Sequence, residues 1–176
     1  MTIPAPESAP VGGMRRIVTG HDSSGLAIID KDDVIERLDL TPEHATFAVM
    51  WSTNEWPIDN MTPGDGAVKP IFSGKSHNEN GSVVRFVDMP PGVSSPMHRT
   101  QTLDYGIVLF GEVELELDSG DKRTMKAGDT CIQRGTNHLW RNNTDKWVRM
   151  AFILLHSKQI TIDGKPLKDE GFPGSQ

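Results

Sequence analysis

The chain has 176 residues, of which 36% are hydrophobic and 24% charged, a balance typical of one soluble domain with an ordinary core. Its formal net charge is -6, and no stripe of basic residues suited to neutralising phosphate groups is present in the sequence. These features predict a single domain that does not bind nucleic acid.

The sequence shows no sign of secretion or membrane insertion. Its one cysteine, Cys131, cannot form an internal disulfide and lies in an apolar run, which favours a buried and unreactive thiol. The first residues, MTIPAPESAPVGGMRR, lack the apolar stretch of a signal peptide, and no later segment approaches membrane-spanning length. We therefore expect a cytoplasmic protein that does not enter a membrane.

The first half of the chain combines short β-prone runs with turns and loops. Residues 1–13 are rich in Pro, Gly, Ala and Ser, which predicts a flexible tail. Residues 14–81 are predicted to form N-terminal strands, a short helix and loops that pack on the rest of the domain. Within them, RRIVTGHDSSGLAIID indicates a hairpin, and DKDDVIERLDL places acids ahead of apolar residues at helical spacing, which favours the short helix.

A long loop follows the strand-like run FAVMWST. Its sequence, NEWPIDNMTPGDGAVKP, is full of Pro, Gly and Asn, and a loop of this length often lies over an opening. Trp51 and Trp56 therefore either line the mouth of a ligand site or pack half-buried against the domain.

The second half is strongly β-patterned, and residues 82–158 are predicted to form the core of the domain. Its β-rich runs are separated by the turn sequences PPG, SGD, AGD, RGT and NNTD, a spacing typical of an all-β barrel or sandwich. In GEVELELD, apolar residues alternate with acids, so one face is core and the other faces water. Residues 159–176 are polar and rich in Gly and Pro, which predicts a C-terminal tail.

Two segments of this region resemble the two sequence motifs of the cupin superfamily. The first motif is G-x5-H-x-H-x3-4-E-x6-G, and at its places the chain has Gly92, His98, Thr100, Asp104 and Gly111. Every spacing fits, with Thr in place of the second His and Asp in place of the Glu. Because strand side chains alternate between two faces, His98, Thr100 and Asp104 share a parity that lets them point to one side.

The second motif runs from a glycine through a strand to P-x-G-x-x-H-x-x-x-N, and the chain has Gly128, Gln133, Gly135, His138 and Asn142 at these places. Gln133 stands where Pro is usual, and the segment after Gly128 is one residue shorter than the pattern. The two motifs together resemble a small single-domain cupin of bacteria or fungi. That resemblance implies an all-β fold, a jelly-roll-like antiparallel barrel of two facing sheets with a short helical or loop extension at the N-terminus.

The resemblance also implies a metal site, because the cupin pattern holds a divalent ion with three His and one Glu. The matching residues here are His98, Asp104 and His138, a set that suits Fe and accommodates Mn, Ni, Co or Zn. The alternative is a metal-free barrel in which His98 and Asp104 form a hydrogen-bonded pair and a neutral histidine acts as general base. Under both alternatives these three are the candidate catalytic residues.

Further residues are candidates for substrate binding. Arg85 shares a strand with Val83 and Val87, so it either clamps a substrate carboxylate inside the domain or forms a salt bridge outside it. Thr100 takes the place of a usual ligand, and the others flank the motif residues in positions suited to a pocket or to packing. The candidates are Arg85, Thr100, Tyr105, Gln133 and Trp140.

These residues predict an enzyme of secondary metabolism that acts on an oxygenated or carboxylated organic metabolite, of aromatic or polyketide type, by a lyase step such as decarboxylation or dehydration. Two alternatives stay open: an Fe-dependent dioxygenase on the same residues, and a non-catalytic ligand-binding cupin. Barrels of this kind often dimerise by exchanging N-terminal strands, and the β-prone Ile17 and Val18 lie in such a segment. We therefore expect a homodimer that binds a small molecule.

Overall fold

The structure, a computed structural model, describes residues 5–10, 12–39, 45–67 and 80–171. Within these ranges it contains β-strands and no α-helix, and accordingly no apolar helix of membrane-crossing length. The strands are β1 (Met14–His21), β2 (Ala27–Ile35), β3 (Leu38–Asp39), β4 (Thr46–Ser52), β5 (Ser82–Met89), β6 (Thr102–Phe110), β7 (Glu112–Leu117), β8 (Lys122–Lys126), β9 (Thr130–Arg134), β10 (His138–Arg141), β11 (Val148–His156), β12 (Thr161–Ile162) and β13 (Lys165–Pro166).

Two facing sheets form the barrel. The larger sheet has the order β3-β4-β5-β11-β6-β9 and the smaller the order β10-β7-β8, with neighbouring strands antiparallel. The segment between β5 and β6 extends the smaller sheet through bridges from Ser94 to Arg141 and from His98 to His138. This arrangement confirms the predicted all-β, jelly-roll-like barrel.

Side chains from every second strand position fill the space between the sheets. On β6 the buried positions are Thr102, Asp104, Gly106 and Val108, and the positions between them are half-buried on the other face. Residues from both sheets meet in one apolar core. It comprises Phe47, Val83, Val87, Met89, Val108, Val113, Met125, Trp140, Val148, Met150, Phe152 and Leu154.

The predicted N-terminal hairpin is present as β1 and β2. The carboxylate of Asp22 closes the turn by accepting hydrogen bonds from the backbone N–H groups of Ser24, at 2.8 Å, and Leu26, at 3.0 Å. Gly25 has a φ of 84° in this turn, a left-handed value that glycine adopts without a steric clash. The sequence DSSG therefore determines where the chain reverses.

The prediction of a short helix at residues 30–40 is wrong. These residues form the end of β2 and then β3, and the last of them lies outside the described ranges. The acids that we interpreted as a helix start are partners of basic residues on β1: Asp32 pairs with Arg15 at 2.7 Å and Asp33 with Arg16 at 2.5 Å. Cross-strand pairing therefore overrides the local helical spacing.

The two tryptophans beside the long loop differ in their surroundings. Trp51 is half-buried and lies under the guanidinium of Arg16, which is 5.7 Å from the ring centroid. Trp56 is 72% exposed. Trp51 therefore packs half-buried against the domain, which is one of the two alternatives that the sequence left open. The part of the loop beyond residue 67 lies outside the described ranges.

Residues close to the C-terminus pair with the segment that carries His98. The backbones of Arg99 and Glu170 exchange two hydrogen bonds, both of 3.0 Å. The carboxylate of Asp169 accepts a hydrogen bond of 2.7 Å from the backbone N–H of Gln101. Part of the segment predicted as a C-terminal tail is thus seated against the barrel.

Candidate functional site

His98 and His138 lie side by side in the barrel interior. The N–H of His98 donates to the carbonyl of His138 at 2.8 Å, the reverse bond is 2.9 Å, and the ring centroids are 4.2 Å apart. Both side chains are buried. The rings meet because the bridge sets the two residues opposite each other, where side chains of neighbouring strands share a face. Two of the three predicted catalytic residues are thereby brought together.

Each of these histidines is oriented by a backbone carbonyl two residues before it. Nδ1 of His98 lies 2.9 Å from the oxygen of Pro96, and Nδ1 of His138 lies 2.9 Å from that of Thr136. Because a carbonyl oxygen only accepts, Nδ1 carries the proton in both rings and Nε2 carries a lone pair. Burial lowers the pKa of His98 to about 3 and also lowers the pKa of His138, so both rings are neutral at neutral pH.

Asp104, the third predicted catalytic residue, is buried on the facing sheet. Burial raises the pKa of its carboxyl to about 6, against the lowering effects of the Thr102 hydroxyl, the Arg85 guanidinium and the Thr100 hydroxyl. The two hydroxyls share a hydrogen bond of 2.7 Å. Oxygen Oδ1 of Asp104 is enclosed and has no hydrogen-bond partner within the described part of the chain. Asp104 therefore retains an acceptor site for a ligand.

Arg85 points into the barrel. Phe152 stands directly opposite it on β11, and the guanidinium lies 5.8 Å from the centroid of that ring. Burial lowers the pKa of Arg85, and the nearby Asp104 carboxyl raises it. Its Nε is enclosed and bonds to no described residue. Of the two positions considered for Arg85, the interior one is observed.

Trp140 and Phe152 pack against each other between the two sheets and form an apolar part of the interior surface. Their ring centroids are 5.7 Å apart in an edge-to-face arrangement, and the Trp140 ring meets that of His138 in the same way at 5.7 Å. Gly106 permits this packing, because a Cβ there would lie 3.2 Å from Cε1 of Phe152 and 3.5 Å from Cζ2 of Trp140. The indole Nε1 is enclosed without a partner among the residues that the structure describes.

Gln133 is buried opposite Asp104, and its side-chain amide donates to the hydroxyl of Thr136. Tyr105 lies on the other face of β6 from Asp104, because successive side chains alternate, so the pocket role predicted for Tyr105 is not supported. Cys131 is half-buried rather than buried. Burial and the Asp104 carboxyl raise the pKa of its thiol, as expected for an unreactive cysteine.

The donor groups fit a metal ion only in part. Two neutral imidazoles that are oriented through Nδ1 have the form in which histidine binds a divalent ion. Across the described ranges, however, no three His, Cys, Asp or Glu side chains are arranged to hold an ion, so Asp104 does not complete the predicted set. We assign no chemical step to a metal, and metal binding by His98 and His138 stays a prediction.

Sequence reasoning did not select Thr102 and Gly106 as site residues. Both are buried on β6 and share the parity of Asp104. That alternation was the available signal, since it places every second residue of β6 inside the barrel. Motif spacing drew attention only to the positions that the known pattern specifies, and Thr102 and Gly106 are not among them.

The two facing sheets and their polar interior define a jelly-roll barrel. The chain belongs to the cupin family. The family model Cupin_2, described as a cupin domain, matches residues 85–154. That range contains the interior side chains from Arg85 to Phe152.

Relatives from fungi match nearly the whole chain. The phomopsin biosynthesis cluster protein C' of Diaporthe leptostromiformis is 40% identical over 167 residues, which cover 92% of this chain and 88% of that protein. The cupin-domain-containing oxidoreductase fogC of Aspergillus ruber is 36% identical over 176 residues, with 96% and 86% covered. The Cnp3 cupin domain of Schizosaccharomyces pombe aligns with a TM-score of 0.50 and 12% identity over 82% of this chain and 88% of that one, which supports the fold.

Proposed function

We propose that this chain is a small-molecule enzyme of secondary metabolism that performs acid–base chemistry on an oxygenated or carboxylated organic metabolite, in a lyase step such as decarboxylation or dehydration. The observation that carries the proposal is the pair of neutral imidazoles, 4.2 Å apart, in the same interior as the buried carboxyl of Asp104. The phomopsin biosynthesis cluster protein, 40% identical, supports the metabolic setting.

The two imidazoles line the place where the substrate binds in this mechanism. Both Nδ1–H groups are committed to backbone carbonyls, so Nε2 of His138 accepts a hydrogen bond from a substrate hydroxyl. Because the backbone fixes both rings before the substrate arrives, little reorganisation is needed during the reaction.

Asp104 exchanges the proton. With a pKa of about 6, its carboxyl is present in both protonated and ionised forms near neutral pH, as a general acid or base requires. In a decarboxylation, the bond to the carboxylate carbon breaks, CO2 leaves, and the electron pair left on the substrate carbon takes the proton of Asp104. In a dehydration, the carboxylate removes a proton next to a carbonyl, and the same group returns it to the departing hydroxyl, which leaves as water.

The test is turnover of a panel of aromatic, β-oxo and β-hydroxy carboxylic acids, followed by mass spectrometry in air and without oxygen. We expect loss of CO2 or water in both atmospheres and no turnover by Asp104→Asn. The matched control is Asp145→Asn, which changes an exposed carboxyl and should leave the rate unchanged. Full activity in Asp104→Asn contradicts the mechanism, and tight binding without turnover of any acid identifies a ligand-binding cupin instead.

Oxidation at the same site is the second candidate, and the names of three relatives favour it. The proteins fogC, srdD and virC are called cupin-domain-containing oxidoreductases. The predicted form of this candidate is an Fe-dependent dioxygenase that uses O2 as oxidant. The dioxygenase is favoured over the lyase if the products contain added oxygen atoms and form only in air and only with protein that carries iron.

We propose that the protein is located in the cytoplasm and does not bind nucleic acid.

We also propose that the chain forms a homodimer through its N-terminal hairpin. Large apolar side chains are exposed on this hairpin: Ile17 by 53%, Ile28 by 41%, Ile29 by 61% and Val34 by 54%. Light scattering after size exclusion should show a dimer that Ile17→Lys with Ile29→Lys converts to a monomer. Ile132→Lys, at a position 50% exposed on β9, is the control that keeps the dimer. A monomeric wild-type protein contradicts this proposal.

A further inference from the structure

Two N–H donors in the barrel interior have no partner within the described part of the chain. They are Nε of Arg85 and Nε1 of Trp140, and both atoms are enclosed. Both side chains contact Phe152, with the guanidinium 5.8 Å and the indole ring 5.7 Å from the centroid of its ring. Enclosed N–H donors in folded proteins are almost always hydrogen-bonded. Two such donors without a partner, both on side chains that contact the Phe152 ring, therefore indicate that an acceptor is missing.

The charge of Arg85 is also unmatched by a direct ion pair with a described residue, unlike that of Arg16, a buried arginine on β1. Arg16, which is 6% exposed, binds the carboxylate of Asp33 at 2.5 Å and that of Asp65 at 2.6 Å. Arg85 forms no salt bridge with a described residue, although the Asp104 carboxyl lies close enough to influence it. The Arg85 side chain is half-buried and its Nε is enclosed, and a charge held in this way without a bonded anion is costly, which indicates that a ligand supplies the anion.

The surroundings of these donors limit the shape of that ligand. Phe152 and Trp140 present ring surfaces, and Gly106 contributes no side chain beside them. An anion placed on the donors would therefore have an apolar surface next to it. The N–H groups of a guanidinium form a planar fork that can bond to both oxygens of a carboxylate at once. A carboxylate therefore fits Arg85 better than an anion that bonds through a single atom.

We infer that the barrel interior binds an organic carboxylate, with its oxygens on the N–H groups of Arg85 and Trp140 and its apolar body against Phe152. This inference deepens the proposed function by naming its substrate class. It rests on that function only in treating the ligand as a substrate, because binding of a carboxylate requires no turnover.

The test is isothermal titration of the full chain with benzoate and, separately, with its neutral analogue benzamide. Benzoate should bind, and benzamide should bind at least about tenfold more weakly, because it brings no charge to Arg85. Arg85→Met keeps an unbranched apolar side chain but removes the guanidinium, and it should weaken benzoate binding by roughly ten- to a hundredfold. Arg15→Gln, which changes an exposed guanidinium, is the control that keeps the wild-type affinity.

Two further measurements keep the result decisive. Arg85→Met removes a half-buried charge that has no ion-pair partner among the described residues, so its melting temperature without ligand should equal or exceed that of the wild type. Trp140→Phe removes one donor while keeping an aromatic ring, and it should weaken benzoate binding severalfold. If Arg85→Met does not fold, the Trp140→Phe affinity and the benzamide comparison decide the matter.

The inference would be overturned by no benzoate binding at millimolar concentration, by equal affinity for benzamide, or by unchanged affinity in the folded Arg85→Met and Trp140→Phe proteins. Displacement of benzoate by sulfate as efficiently as by phenylacetate would show a general anion site and also overturn it. Failure of the proposed lyase reaction can be told apart from failure of this inference. If only the lyase proposal is wrong, benzoate still binds although no acid is turned over.

Discussion

The carboxylate of Asp65 binds both terminal nitrogens of the Arg16 guanidinium, at 2.6 and 2.9 Å. Arg16 belongs to β1 and Asp65 to the loop after β4, so this pair joins two parts of the chain that are distant in sequence. The side chain of Arg16 is 5% exposed and that of Asp65 is 19% exposed. Bidentate, largely enclosed pairs of this kind are much more costly to break than exposed ones.

Asp65→Asn should therefore lower the free energy of unfolding at neutral pH, by about 1 to 3 kcal/mol. The hydrogen bonds from Arg16 lower the pKa of Asp65 from 3.8 to about 2 in the folded protein. Because the folded pKa lies below the unfolded one, the stabilisation is fully present above 3.8 and is lost as the pH falls through 2. Urea unfolding at several pH values measures the difference between the two proteins.

The control for this experiment is Asp145→Asn, at an exposed position, which should match the wild type throughout. Protonated Asp65 no longer forms the ion pair with Arg16, so the stability difference between Asp65→Asn and wild type should shrink as the pH falls towards 2. A difference that stays constant down to a pH of about 2 would contradict the proposed dependence of stability on the ionisation of Asp65.

Replacing His138 by Ala should abolish the proposed activity and any metal retention while leaving the barrel folded. The change removes one hydrogen bond to the Thr136 carbonyl and costs about 1 to 3 kcal/mol, against the 5 to 15 kcal/mol typical of a domain. Turnover, elemental analysis and a circular dichroism melt measure the three properties. His21→Ala, at the exposed end of β1, is the control. An unfolded His138→Ala protein, or one with full turnover, would reverse the assignment.

The barrel was predictable because its strands are amphipathic and its two motifs have the expected spacing. Alternation on β6 buries every second residue from Thr102 to Val108, so the parity argument for Asp104 holds. The short helix was not correctly predicted, because the acids Asp32 and Asp33 bond to arginines on another strand. A local pattern does not reveal such partners, and tertiary pairing decided the outcome.

The site was predictable in part. Spacing selected His98 and His138, and a backbone bridge does bring their rings together. The state of Arg85 and Trp140 could not be read from the sequence, because a missing hydrogen-bond partner is a property of the surrounding space and not of the residue. The same parity rule places Tyr105 on the opposite face of β6 from Asp104, so applying it to every neighbour favours the packing alternative for Tyr105.

Gly171→Ala should release the C-terminal segment from the barrel. Gly171 has a φ of 89°, and a Cβ there would lie 2.1 Å from the carbonyl oxygen of Met97 and 2.8 Å from Cα of His98. Backbone atoms cannot yield as a flexible side chain does, so the segment must move away. We expect faster tryptic cleavage after Lys168 and reduced turnover, because the segment that carries His98 loses the pairing of Arg99 with Glu170.

Gly164→Ala is the matched control for the backbone strain. Gly164 has a similar φ of 76°, but a Cβ there would meet nothing within 4 Å. Both alanines must adopt a left-handed conformation, and only Gly171→Ala also collides with the site segment. Equal cleavage after Lys168 and equal turnover in the two variants would show that contact with the His98 segment has no role.

Thr100→His tests whether the interior is a metal site. Thr100 is 4% exposed, hydrogen-bonds to Thr102 at 2.7 Å, and stands where the cupin pattern has a second histidine. If His98 and His138 already bind a divalent ion, a third imidazole from the same face should tighten its retention. Turnover should fall, because the added ligand takes a position that the substrate or a water needs.

Without a metal, the same substitution only places a larger side chain at a buried position beside Thr102, at a cost of roughly 1 to 3 kcal/mol. Metal content and melting temperature of both proteins, with and without added Fe, Mn, Ni, Co or Zn ions, separate the two cases. A metal-binding interior predicts that added ions raise the melting temperature of Thr100→His more than that of the wild type, since an ion that binds the folded state stabilises it. A variant that is destabilised and stays free of every ion would contradict metal binding by His98 and His138, and it would leave the acid–base chemistry of Asp104 as the function to pursue.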